Sequence, residues 1–301
     1  MNKLPVIGTV SRAYGFLIGE IATIVRLVWA PVLAGAGLAY LYVPTVLESQ
    51  IAGQSTGIAP GQILVGVVGF VTGIMATVAL LQVVVFGDRK PGLFVYLWLG
   101  PAELRLILVT VLLVIAAFAA MFATVISFSL LGVIAAAVPI LSILVLVGLL
   151  AIVVACFWVP LRLSLTWPTV VAENNLGVER SWALTKGNAL RLLGVALLIY
   201  GPYAIVSWSA LTAILGADMP ATPAFPNFFD PELTKSETAM KEAAEAFQKA
   251  MEAWEKGLSK AMLAHWTAVT ILNVVGSVVS TALFAGAFGS AYTALAGEPR
   301  Q

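Results

Sequence analysis

Residues 106–161 read LILVTVLLVIAAFAAMFATVISFSLLGVIAAAVPILSILVLVGLLAIVVACFWVPL, with no charged side chain. About 20 apolar residues suffice to cross a bilayer as a helix, so this run is too long for one span and long enough for two. The reading is a helical hairpin, with Ser127, Ser129 and Gly132 marking a tight turn between its arms. A second uncharged run covers residues 51–86. Across the chain, apolar residues make up 60% and charged residues 10%, with mean hydropathy +1.00; soluble domains carry about 25% charged residues. Such a chain is built for lipid.

Working outward, helical spans are expected at 27–43, 62–86, 104–127, 131–160, 190–214 and 262–287. The fold class is all-α. It is a polytopic membrane bundle of about six transmembrane helices, arranged as three hairpins with cytoplasmic interfacial helices, plus one extramembrane amphipathic helix. A single transmembrane domain fills residues 1–301, with an extracytoplasmic element at 217–261 inserted before the last span. The first apolar run follows Arg26 and is long enough to span, so it reads as an uncleaved first helix. Trp29, Tyr40, Tyr42, Trp158, Trp266 and Tyr292 fall near span ends, where aromatic rings anchor helices.

Basic residues of short loops stay on the cytoplasmic side. Lys3, Arg12 and Arg26, then Arg89, Lys90 and Arg105, then Arg162, Arg180, Lys186 and Arg191, and finally Arg300 all fall on one side of the expected spans. The alternate connections, 44–61 and the turn at Phe128, contain neither lysine nor arginine. The long connection after the fifth span mixes five lysines with eight acids, and long loops translocate largely regardless of charge. Both termini are therefore expected in the cytoplasm.

A net charge of +1 supplies no basic field for a polyphosphate, so nucleic acid is not an expected partner. The single cysteine, Cys156, permits no intrachain disulfide, and His265 is the only histidine. Neither a histidine-based triad nor a metal cluster is expected, and no catalytic residue, metal or cofactor is assigned. The span centres are uncharged, which weakens ion-coupled transport. Glu20, Arg26, Glu103, Arg105 and Arg162 can all snorkel to an interface.

Residues 173–188, ENNLGVERSWALTKGN, read as a short amphipathic helix. Val178, Trp182 and Thr185 fall on one side, and Gly187 is a C-terminal stop. Arg180, Trp182, Lys186 and Arg191 are the candidate contacts to lipid headgroups; the alternative is that they merely orient the fifth span. Arg12-x-Tyr14 with Gly19-Glu20 echoes Arg180-x-Trp182 with Gly187-Asn188, a faint internal repeat. The order of residues around Lys186 does not make a phosphate-binding loop.

The Ser181-Trp182, Thr185-Lys186-Gly187-Asn188 and Arg191 pattern resembles a bacterial family of multi-pass proteins related to the membrane domain of glycerophosphodiester phosphodiesterases. The resemblance covers Arg180 to Arg191 and, elsewhere, the hydropathy and the repeated hairpin plan. It implies residence in a bacterial cytoplasmic (inner) membrane. In fused relatives catalysis resembles the work of a separate soluble domain, so no catalytic residue carries over.

Outside the membrane, Pro220, Pro223, Pro226 and Pro231 surround Phe225, Phe228 and Phe229 and exclude a helix there. A charged helix is expected from Leu233, with a heptad stripe of Leu233, Met240, Phe247 and Trp254 joined by Ala244, Met251 and Leu258. Met240, Phe247, Met251, Trp254 and Leu258 are the candidate partner-binding residues. The stripe could lie on its own proline-rich loop, on the outer leaflet, or on a second protomer or another protein through 233–260. Pro202 should kink the fifth span, with Ser207 and Ser209 available to the freed backbone. Such breaks line substrate sites in some transporters and are packing kinks in others. Gly66, Gly69, Gly73, Gly276, Ser280, Ala282 and Gly286 form small-residue ridges suited to close helix contact.

The functional expectation is a non-enzymatic integral membrane scaffold or lipid-interacting accessory, with membrane lipids as partners and the outer helix as binding element. The alternative is a carrier or flippase for a lipid or amphiphile. An enzyme acting on lipid would need Glu173, Asn174, Arg180, Lys186 and Asn188 to converge.

Overall fold

The computed structural model describes residues 3–53, 60–89, 94–137, 142–225 and 236–297. In chain order the helices are α1 (Val6–Gly19), α2 (Ile21–Ile51), α3 (Pro60–Phe86), α4 (Pro101–Ala137), α5 (Ser142–Leu163), α6 (Thr166–Glu173), α7 (Val178–Leu184), α8 (Ala189–Leu215), α9 (Glu237–Ala264) and α10 (Trp266–Ala296). No strand occurs among the described residues. The chain is an all-α polytopic bundle, and six stretches are long and apolar enough to cross a membrane: Ile21–Ile51, Pro60–Phe86, Pro101–Leu130, Val147–Glu173, Ala189–Asp218 and Trp266–Ala296. With no water in hydrocarbon, a crossing segment must satisfy its backbone internally, and a helix does so.

One expectation is corrected. α4 does not turn at Ser127–Gly132 but runs on to Ala137. The serines are accommodated because each hydroxyl donates back to a carbonyl one turn earlier, Ser127 to Ala123 at 2.7 Å and Ser129 to Val125 at 2.9 Å. A back-bonded serine is compatible with a helix interior, so these residues carry no turn signal. The spans also begin and end beyond the expected limits. The expectations for Lys90, for residues 226–235, Leu233 included, and for Arg300 lie outside the described residues.

The chain forms two compact units. The first comprises Met1–Val32, Val71–Tyr203 and Val278–Gln301. Its centre is the second half of α3, where Ile74, Met75, Ala76, Val78, Ala79, Leu80 and Leu81 are all buried against Ile24, Leu27, Val28, Leu106 and Val109. A neighbouring cluster joins Leu4 and Ala13 of the N-terminal segment to Leu192, Val195 and Ile199 of α8 and Leu283, Ala287 and Ala291 of α10. Since lipid tails are as apolar as leucine, such packing acts through dispersion and close fit. Gly286 allows a close backbone approach, because a Cβ there would lie 3.0 Å from the Ala13 Cα. At Gly66, Gly69 and Gly73 an added Cβ would meet nothing within 4 Å among the described residues. Most of the described surface of α4 up to Leu130 and of α5 from Val147 is exposed and apolar, the composition a helix needs where lipid is its neighbour.

The second unit comprises Leu33–Phe70 and Ala204–Ser277. Ser236 caps α9 by accepting from the Ala239 N–H at 3.3 Å. α9 then lies along the proline-bearing segment: Phe225 packs on Phe247 with ring centroids 4.8 Å apart, and Pro220 abuts Gly257. Leu215, Ala261 and Val269 form its small core. Residues 219–225 are not helical, as their prolines require.

Candidate lipid-facing site

Proline inside a helix leaves the carbonyl four residues earlier without its donor. Pro202 does this to Leu198 in α8, and the phenol of Tyr14, reaching over from α1, donates to the Leu198 carbonyl at 3.2 Å and lies 3.4 Å from that of Ile199. The expected helpers, Ser207 and Ser209, are not the ones used for Leu198. The second unit repeats the solution. Pro44 in α2 deprives Tyr40, and the Trp266 indole N–H donates to the Tyr40 carbonyl at 3.1 Å.

The stretch 173–188 forms two bends around α7. Asn174 closes α6 in the left-handed region, with φ 61°, and Gly177 opens α7 at φ 70°. A Cβ on Gly177 would lie 2.9 Å from the Thr166 carbonyl oxygen, so only glycine fits. Asn175 accepts from the Gly177 N–H at 2.8 Å. The inward residues of α7 are Val178, Ser181 and Thr185; Trp182 is 42% exposed, on a different side from the one expected. The cause is chemical: Ser181 donates at 3.0 Å to the carbonyl of Arg162 near the end of α5, and the Thr185 hydroxyl lies 3.0 Å from the same oxygen and 2.8 Å from the Ser181 carbonyl, between which its one proton is shared. That carbonyl belongs to the last turn of α5, which has no intrahelical donor to offer it.

Of the four candidate headgroup contacts, Arg180 is paired with Glu173 at 3.0 Å, and Arg191 donates to the Leu4 carbonyl at 3.0 Å. Asn188 accepts from the Leu4 N–H at 3.0 Å, so α8 clamps the N-terminal segment from both sides. Lys186 is exposed on the bend after Thr185. The Trp182 ring lies under the Arg162 guanidinium, 4.6 Å from carbon to ring centroid. Arg162 itself is only 7% exposed, and among the described residues no carboxylate pairs with it. Spacing along the chain singled out its neighbours and missed Arg162; its position as the last basic residue of a span was the available signal.

The remaining polar groups hold helix ends together. Glu173 also accepts from Tyr292 at 3.0 Å, and Arg105 donates to Asn174. The polar set that lipid chemistry would need therefore does not converge: Glu173 and Arg180 border an open cleft of about 760 Å³ between α6 and α7, while Asn174 and Asn188 are engaged elsewhere. Glu103, 2% exposed, accepts from the Tyr96 phenol at 2.5 Å and from the Gly100 N–H at 2.9 Å, which caps the start of α4. Burial and then this bond push the Tyr96 phenol well above its usual range. Glu20 binds Arg89 at 2.6 Å and Thr23 at 2.9 Å, and these bonds, that to Arg89 foremost, hold its carboxyl below the usual range.

The candidate partner-binding stripe divides. Phe247, Met251, Trp254 and Leu258 are half-buried within the second unit, whereas Met240 is 42% exposed. An apolar groove of about 340 Å³ also lies in this unit, lined by Leu33, Ala36, Gly37 and Tyr40 of α2 and Thr267, Thr270, Ile271 and Val274 of α10. No group of three or more potential metal ligands occurs among the described residues. Comparison of the chain with family models, with curated proteins and with solved structures found no match.

Proposed function

We propose that this chain is a non-enzymatic scaffold or lipid-interacting accessory of a bacterial inner membrane, with both termini cytoplasmic. The observation that carries the reading is the use made of the interfacial polar residues. Ser181, Thr185, Asn188 and Arg191 are engaged with backbone of neighbouring elements, a use suited to architecture. Trp182 and Lys186 remain exposed beside them, where an aromatic ring and an ammonium suit the headgroup layer. The resemblance of residues 180–191 to the phosphodiesterase-related membrane domain agrees with this role. α9 is its partner-binding element through the first turns, which bear Met240, since from Phe247 onward its stripe is covered, Phe247 by Phe225.

Gentle purification with identification of co-purifying proteins and lipids tests the proposal. A stoichiometric protein lost on deleting residues 233–256, or tightly retained phospholipid, is the expected result; a lone monomer with neither refutes it. The groove lined by Leu33, Gly37, Thr270 and Ile271 favours a second reading, a carrier for an amphiphile. Its Thr270 hydroxyl is sealed and has no hydrogen-bond partner. A carrier should change its transport rate on Pro202→Ala or on filling the groove with Gly37→Leu, and an accessory should not.

A further inference from the structure

We propose that Arg162, stacked on Trp182, is the binding site for a phosphate group of membrane phospholipid. The inference rests on the lipid-interacting reading above and names the residue and chemistry responsible. Arg162 is the one basic residue of α5 and lies one residue before the end of that helix at Leu163, where a long basic side chain can reach the headgroup layer. A guanidinium there sits at headgroup depth.

A cation withdrawn from water needs a counter-charge. Arg162 is only 7% exposed, yet among the described residues the one interaction of its guanidinium is with the Trp182 face. The carbonyl of the same residue is fixed by Ser181 and Thr185, which immobilises the base of the side chain. The remaining 7% exposure of Arg162 is where an anion would reach it. Contact with the ring uses none of the guanidinium N–H groups as hydrogen-bond donors to a carboxylate, and a guanidinium fork can take two oxygens of a phosphate. The negative end of the α5 dipole supplies only a partial charge. Lys186, on the bend that follows Thr185, adds positive potential to the approach.

The test uses the full chain in neutral detergent, with binding read by native mass spectrometry and by the shift in melting temperature. The probes are phosphatidylglycerol, a neutral glycolipid with the same acyl chains, and inorganic phosphate. Phosphatidylglycerol should bind the native chain and be weakened ~10- to 100-fold by Arg162→Leu, the range for losing a hydrogen bond to a charged group. Arg162→Lys, which keeps the charge without the fork or the stack, should fall between, and Lys249→Ala should change nothing. If Arg162→Leu does not fold, the comparison with Arg162→Lys decides alone. Equal affinity in the native and substituted chains would overturn the site while leaving the lipid-interacting reading intact, and absence of any lipid binding would remove both. Binding of inorganic phosphate as strong as that of the lipid would assign the site to a free anion, and equal binding of the glycolipid would exclude phosphate; either overturns the proposal.

Discussion

Replacing Tyr14 by phenylalanine removes one hydroxyl and strands the carbonyl that Pro202 leaves without a helical donor in α8. The Leu198 oxygen has lost its helical donor to Pro202 and is served by Tyr14 at 3.2 Å, a long bond shared with Ile199 at 3.4 Å. Leaving a carbonyl unsatisfied where water is scarce costs about 1–3 kcal/mol, while side-chain bonds in membrane proteins average ~0.6 and reach ~1.7 kcal/mol. The long distance places Tyr14→Phe near 1 kcal/mol. In a Pro202→Ala background the new Ala N–H can serve Leu198 itself, and most of that cost should vanish. A double-mutant cycle by reversible denaturation in detergent should therefore give a coupling of roughly 0.5–1 kcal/mol. Equal costs of Tyr14→Phe in both backgrounds would show that the phenol is not there to replace the proline's missing donor.

Three further outcomes follow from the same geometry. Gly177→Ala should destabilise the chain by roughly 2 kcal/mol or more, combining left-handed strain with a Cβ pressed to 2.9 Å from the Thr166 carbonyl oxygen, as read by the melting temperature. Stability measured against pH should weaken at both extremes. Because the Glu20 carboxyl is held low by Arg89 and Thr23, its contribution is present above the ordinary carboxylate range, about pH 4.3, and is lost as pH falls through the lowered value; Glu20→Gln should remove that acid-side slope. Because the Tyr96 phenol is held high, its contribution is present below about pH 10 and fades as pH rises beyond it, an alkaline slope that Tyr96→Phe should abolish. Single cysteines at Lys186 and Lys249, in a Cys156→Ser background, should react with an impermeant reagent from opposite faces of the membrane; labelling from the same face would overturn the topology.

The spans were legible because hydrocarbon leaves the sequence little choice: a run without charge and longer than about 20 residues must cross as helix. Their internal boundaries were not, since Ser127 and Ser129 read as a turn in isolation and as ordinary helix once their hydroxyls fold back onto α4. The interfacial segment shows the same limit more sharply. Spacing reads 173–188 as one helix with Trp182 on the same side as Val178 and Thr185, whereas the helix covers Val178–Leu184 and Ser181 is the residue that shares their side. The orphan carbonyl of Arg162 sets that side, drawing Ser181 and Thr185 inward. That carbonyl is invisible until α5 is known to end at Leu163, and so is the buried guanidinium attached to it. The outer stripe was readable as a pattern, but how its length would divide between covered Phe247 and exposed Met240 depended on where Phe225 came to rest.

The two prolines bear on the choice between accessory and carrier. A kink that works as a hinge must alternate between backbone arrangements, and in hydrocarbon each arrangement has to find a donor for the carbonyl the proline has freed. Pro202 and Pro44 each lie four residues beyond a carbonyl that is met by an aromatic donor from a different helix, Tyr14 for Leu198 and Trp266 for Tyr40. Bending either helix away at its proline would withdraw the carbonyl from that donor at a cost of about 1–3 kcal/mol. Phenol and indole donors are also carried on rings that pack, so the same movement breaks ring contacts, including the one that sets Tyr40 against Trp266 at 6.3 Å. Tethered in this way, a proline fixes the path of a helix and does not loosen it. A carrier built on the Pro202 break would need a substrate whose binding compensates for that loss, whereas an accessory needs only the fixed path.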